Sequence, residues 1–154
     1  MNTKTLPIDY ANGIIYELEK AFWDERGKGA RFRVTTVGQD YFEKKCLPLL
    51  KGDELSSILG TIEKILTEES IVAKVSYSTE DRLIRIRFEG CIHRSVEAQM
   101  VAKGVEPFTC VPANLIVLAL EKKLDRPVEI ASIKYEEGAC QILMVLFDKH
   151  PVVE

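Results

Sequence analysis

Cysteine and histidine have the widest chemical reach of any residues in this chain, and three of its four cysteines and one of its two histidines fall between Gly90 and Cys140. Cys91 and His93 stand in G-C-I-H after an alternating stretch, Cys110 stands in P-F-T-C-V-P-A-N before an apolar run, and Cys140 opens G-A-C-Q. Each lies at the mouth or edge of an element, where side chains from distant segments can meet. Zinc and similar soft ions take thiolate and imidazole donors in a tetrahedral shell, and such a site can be gathered from separate loops and strand ends. The expectation is a shared metal site of Cys91, Cys110 and Cys140, with His93 available as a further donor. A Cys–His nucleophile drawn from Cys91 or Cys110 with His93 is a second use of the same atoms, since a base or a helix N-terminus lowers a thiol pKa. A third makes the cysteines small buried hydrophobes. Cys46, inside an apolar pattern, takes that third reading, and His150, beside Pro151 in a tail, reads as exposed.

Composition narrows the function classes. A chain of 154 residues with 46% hydrophobic content can bury a full core, and a single domain over 1–154 accounts for it. A net charge of -3 and a pI near 5.6 argue against nucleic acid, which needs a concentrated basic surface. There is no apolar run long enough to span a membrane, and M-N-T-K-T-L-P lacks a signal-peptide core, so a cytoplasmic setting is expected. In that reducing compartment free thiols or metal ligands are expected before disulfides. The phosphate-binding, dinucleotide, nucleophile-elbow and H-E-x-x-H motifs are all missing.

The elements that must position these residues can be read from periodicity. Ile8, Ala11, Ile14, Ile15, Leu18, Ala21 and Phe22 predict a helix from about Pro7 to Arg26. Lys28, Arg31 and Arg33 then mark a basic connector. Asp40 and Glu43 have capping-box spacing before a short second helix limited by Pro48. Asp53 is placed to cap a third, striped by Leu55, Ile58, Leu59, Ile62, Ile65 and Leu66. The period then becomes two: Ile71, Ala73, Val75 and Tyr77, a turn at T-E-D-R, then Ile84, Ile86 and Phe88 between arginines. Arg82, Arg85 and Arg87 could grip an acidic ligand, but the alternation is what a half-exposed strand requires. Val96, Met100 and Val101 predict a short helix in the following loop. Thr109 or Cys110 caps a helix with Pro112 in its first turn, and residues 128–135 and 139–148 form a second hairpin across E-E-G. The last strand, apolar on both faces, belongs in the sheet centre or under a partner. The fold expected is α/β of the α+β type: an antiparallel sheet of about four strands from two hairpins, residues 71–148, flanked by helices within 7–69 and between the hairpins.

From about Val72 onward, the succession of hairpin, E-G-C, loop, P-F-T-C-V-P-A-N-L helix and a hairpin with E-E-G-A-C-Q-I resembles the 4-vinyl reductase domain family, a small-molecule-binding α/β domain related to TRAPP trafficking subunits. The likeness covers roughly the C-terminal half. It implies a sensor or carrier of hydrophobic or tetrapyrrole ligands, often dimeric. The aromatic-sensing regulators of the family hold zinc with a Cys before the helix and a Glu, Cys and Cys on the next hairpin. Those positions correspond here to Cys110, Glu129, Ser132 and Cys140, so a serine replaces the middle thiolate and Cys91 or His93 would have to supply the missing donor. Glu129 and Ser132 also face opposite ways on any regular strand and could share a site only at a strand end or bulge.

Two further expectations concern surfaces. Phe22, Trp23, Tyr41 and Phe42 exceed what two short helices need for packing, which predicts an apolar pocket between the N-terminal helices and the sheet. The amphipathic first helix, with Val145 and Phe147 on the second face of the last strand, predicts a homodimer. The function expected is a cytoplasmic small-molecule-binding or sensory module. A thiol enzyme in redox or tetrapyrrole chemistry and a structural interaction domain are the alternatives.

Overall fold

Alternation of Ile84, Ile86 and Phe88 with Arg85 and Arg87 makes the second strand of a four-stranded antiparallel sheet, seen in a computed structural model that describes residues 5–32 and 34–148. The strands are β1 (Lys74–Glu80), β2 (Leu83–Glu89), β3 (Val128–Glu136) and β4 (Ala139–Leu146), in the order β1-β2-β4-β3. The two hairpins join through β2 and β4, where Ile84, Ile86 and Phe88 pair with Met144, Ile142 and Cys140. Strand β4 therefore has neighbours on both sides, as its two apolar faces require: Cys140, Ile142, Met144 and Leu146 are buried, while Leu143 and Val145 are half-buried on the outer face.

Backbone chemistry fixes both hairpin ends. Glu137 and Gly138, at φ of 52° and 78°, form the β3–β4 turn with both central residues left-handed, a turn whose twist matches that of paired strands. After β2 the chain bends at Gly90 (φ 67°), where an added Cβ would stand 2.7 Å from the Ala73 Cβ. Only glycine fits there, and the bend carries Cys91 away from the sheet.

The helices are α1 (Ile8–Arg26), α2 (Gln39–Tyr41), α3 (Leu55–Glu68), α4 (Arg94–Ala102) and α5 (Val111–Leu124). A 3-10 turn, Gly27–Phe32, follows α1; α2 runs into a π-helical turn, Phe42–Cys46, and a 3-10 turn, Leu47–Leu49, containing Pro48. Helices α3 and α5 pack together, and their apolar residues form the main core with the inner face of the sheet. The predicted stripe of α3 is buried through Ile58, Leu59, Ile62, Ile65 and Leu66. Helix α1 packs instead on α4 and its own 3-10 turn. There Ala30, Met100, Val105 and Phe108 form a satellite core with Tyr16, Phe22, Trp23 and Val34.

Two expected caps are not made. Gly38, left-handed at φ 107°, precedes α2, while Asp40 pairs with Lys44 at 3.0 Å and Glu43 accepts from Gln39 at 3.1 Å. Glu54, not Asp53, stands before α3, with no side-chain cap. Arg33, the side chain of Arg31 and His150 lie outside the described residues. Among the described residues no helix is long and apolar enough to cross a membrane.

Candidate functional site

All four cysteines are free and buried. Cys91 follows the Gly90 bend, and its Sγ accepts the His93 backbone N–H at 3.4 Å. His93 is held through its ring: Asn12 donates its Nδ2 to the Ile92 carbonyl at 2.7 Å and turns its Oδ1 to His93 Nδ1 at 3.0 Å. That arrangement places the ring proton on Nδ1, and burial lowers the His93 pKa, so a neutral imidazole ties α1 to the start of α4. Cys110 precedes α5, its carbonyl accepting the Asn114 N–H at 2.9 Å without a side-chain cap. Cys140 lies on the inner face of β4 between Phe88 and Tyr135.

Glu129 goes elsewhere. It pairs with Val145, five residues along β4 from Cys140 and on the opposite face, a separation along the strand of roughly 17 Å. A bulge between Ile130 and Ser132 puts Ser132 on the same outer face as Glu129, which a regular strand would forbid, yet that face is the one Cys140 turns away from. Among the described residues no three His, Cys, Asp or Glu side chains are placed to hold a metal ion. This corrects the expectation of zinc at Cys91, His93, Cys110, Glu129 and Cys140.

The thiols also resist the ionisation that a nucleophile needs. Burial pushes Cys91 up to about 11 and Cys140 up to about 12. Cys110 is raised well above the ordinary thiol value, first by burial and then by the nearby Cys140 and Glu97; a backbone hydrogen bond from Ala113 lowers it, but burial outweighs that help. Cys46 is raised to about 11 by burial alone. The native protein is therefore expected to react with iodoacetamide at pH 7.5 at least roughly a hundredfold more slowly than an unhindered thiol. Mass spectrometry of the alkylated protein checks this, and one rapidly modified cysteine would restore the nucleophile.

What Cys91, Cys110 and Cys140 share is a carboxyl. Glu97 on α4 is only 6% exposed, its Oε2 has no hydrogen-bond partner among the described residues, and its charge raises the pKa of all three. Burial moves Glu97 itself up to about 7. Glu19 on α1 is raised to about 8, by burial first and by Glu97 second. No local pattern announces this pair, because each glutamate occupies an ordinary helical position and only the docking of α1 on α4 buries both.

A cleft of about 840 Å³ lies beside the free edge of β3. One wall is Trp23 and Phe108, their ring centroids 5.6 Å apart and tilted by 30°. The other is formed by Val117 and Leu118 of α5 with Ile130, Ile133 and Tyr135 of β3. Polar groups sit among them, including Lys28, Thr109 and Asn114. Asn114 is buried and donates to the carbonyls of Val34 and Val37 at 3.1 and 3.0 Å, which fixes the 34–37 segment against α5. Of the four aromatic residues expected to share a pocket, only Trp23 borders this cleft. Phe22 packs in the satellite core, Phe42 is buried in the main core, and Tyr41 packs against it. Phe108 and Asn114 stand in the P-F-T-C-V-P-A-N stretch singled out for its cysteine, and a buried asparagine in an apolar helix was the available signal. No family model matches the chain, and neither does any curated protein.

Proposed function

We propose that the protein is a small-molecule-binding module whose ligand, predominantly apolar with a few polar atoms, occupies the cleft between Trp23–Phe108 and β3. The carrying observation is the cleft itself: its volume of about 840 Å³ falls in the range of small-molecule sites, and its lining joins aromatic and branched apolar side chains to charged and hydroxyl groups, among them Lys28, Glu106, Thr109 and Glu121. Asn114 supports the reading because it holds the cleft's mouth by two backbone bonds, leaving little ordering to be done on binding. The sensory role implied by the resemblance to the 4-vinyl reductase domain family suits such a module, and the four free cysteines suit the cytoplasm.

The module works as a homodimer through α1. Tyr10, Ile14 and Leu18, at successive turns, are 62%, 41% and 66% exposed and leave an apolar stripe on the side of α1 away from α4. Native mass spectrometry of gently purified protein tests both parts. Twice the chain mass carrying a releasable small molecule is expected, with the dimer lost in Leu18→Glu. A bare monomer at micromolar concentration contradicts both.

A further inference from the structure

Arg85 and Arg87, two residues apart on β2, project from the outer face of the sheet, opposite α3 and α5. Strand register sets them in two adjacent cross-strand rows, Ser76–Arg87–Gln141–Lys134 and Ser78–Arg85–Leu143–Ser132. Neither row contains a carboxylate. The acids of this face stand in the rows beyond, Glu89 and Glu136 on one side and Glu80 and Glu129 on the other. A depression of about 450 Å³ lies over the two inner rows. Arg87 reaches Glu89 at 3.8 Å, whereas Arg85 and Lys134 make no ion pair among the described residues.

We propose that this depression binds the phosphoryl group of a small soluble molecule. Two guanidinium forks and an ammonium supply charge, and guanidinium geometry matches a tetrahedral oxyanion in paired hydrogen bonds. Three serine hydroxyls and the Gln141 amide stand around them and can complete the donor set. Tyr77 borders the depression, but its strand position alternates to the opposite face from Ser76 and Ser78, so recognition falls on the anion and not on a stacked nucleobase. The carboxylates of the flanking rows bound the positive field and limit the site to a compact anion. This pattern could not be read from the β1–β2 hairpin alone, because Lys134, Ser132 and Gln141 arrive from the other hairpin. Ser132 and Lys134 also border the cleft beside β3, so the two openings adjoin along that edge strand, while Arg85, Arg87 and Gln141 line the depression and not the cleft.

Isothermal titration of the full chain with pyrophosphate tests it. The expected result is saturation at one site per chain, with Arg85→Gln and Arg87→Gln each weakening binding roughly tenfold or more, as loss of a charge-assisted hydrogen bond does. Glu89→Gln frees Arg87 and is expected to tighten binding about two- to fivefold, while Lys74→Gln, on an outer row, changes it less than about twofold. Thermal melts confirm that these surface variants fold. The proposal is overturned by absence of binding at millimolar pyrophosphate, or by a loss in Lys74→Gln equal to that in the arginine variants. It is equally overturned if phosphatidic-acid vesicles or a tetra-aspartate peptide bind and pyrophosphate does not.

Discussion

Replacing Glu97 with glutamine is expected to stabilise the protein at pH 8 by up to about 3 kcal/mol and to reduce, by about half, the fall of its stability between pH 5 and 8. The carboxyl titrates near 4.5 when unfolded and near 7 when buried in the native state. Below the lower value both states are protonated and the native state keeps its full advantage. As pH rises the unfolded chain ionises first, so stability falls by about 1.4 kcal/mol per pH unit until the native carboxyl also ionises near 7. Glu19, raised from 4.5 to about 8, adds a similar slope over the same interval and carries the fall a further unit. The amide introduced by Glu97→Gln cannot ionise, and the substitution also removes the negative charge that raises Glu19. That amide still lacks a partner where Oε2 stands unpaired, which costs about 1 kcal/mol and makes the variant no better than the parent at pH 5. Urea denaturation at pH 5 and pH 8 separates these terms, and parallel pH profiles for the two proteins would mean that Glu97 is not buried as described.

Phe88→Ala is expected to cost about 3–5 kcal/mol, whereas Leu143→Ala costs less than about 1.5. Phe88 is almost wholly enclosed and lies on the inner face between Val75 and Cys140, where the sheet meets α3 and α5. Leu143, on the strand that pairs with β2, is only half-buried among Arg85 and Ser132 on the outer face. Removing a ring from the first position leaves a cavity that packed neighbours cannot fill; the second position can be covered by water or by the arginine stem. Equal losses would contradict the division of β4 into a core face and an outer face.

Local pattern carries the fold a long way. The stripe of α3, both hairpins and the central position of β4 follow from periods of 3.6 and 2 and from glycine at the turn. The site is less legible, for reasons particular residues make clear. Cys91, Cys110 and Cys140 do face a common interior, but element edges turned inward also serve as core, and nothing local distinguishes a ligating thiol from a buried one. Glu129 enters by resemblance alone, and one bulge at Ile130–Ser132 settles its face. Tyr41 and Phe42 are adjacent in α2 and the following π turn, whose direction periodicity does not specify; they turn into the main core while Trp23 reaches the cleft with Phe108, 85 positions away in the chain. Long-range pairings of this kind, like the row that joins Arg87 to Gln141 and Lys134 across the sheet, depend on docking and not on spacing.

Trp23 is the chain's single tryptophan and borders the cleft, so its emission reports directly on occupancy. The neutral probe N-phenyl-1-naphthylamine, which the cationic outer face does not attract, is the ligand of choice for the decisive titration. Saturable quenching of Trp23 at one probe per chain is predicted, with at least tenfold weaker binding in Ile133→Arg, which fills the cleft from β3 while melting as a folded protein. Linear, unsaturable quenching, or equal affinity in the filled variant, would contradict a ligand site in the cleft.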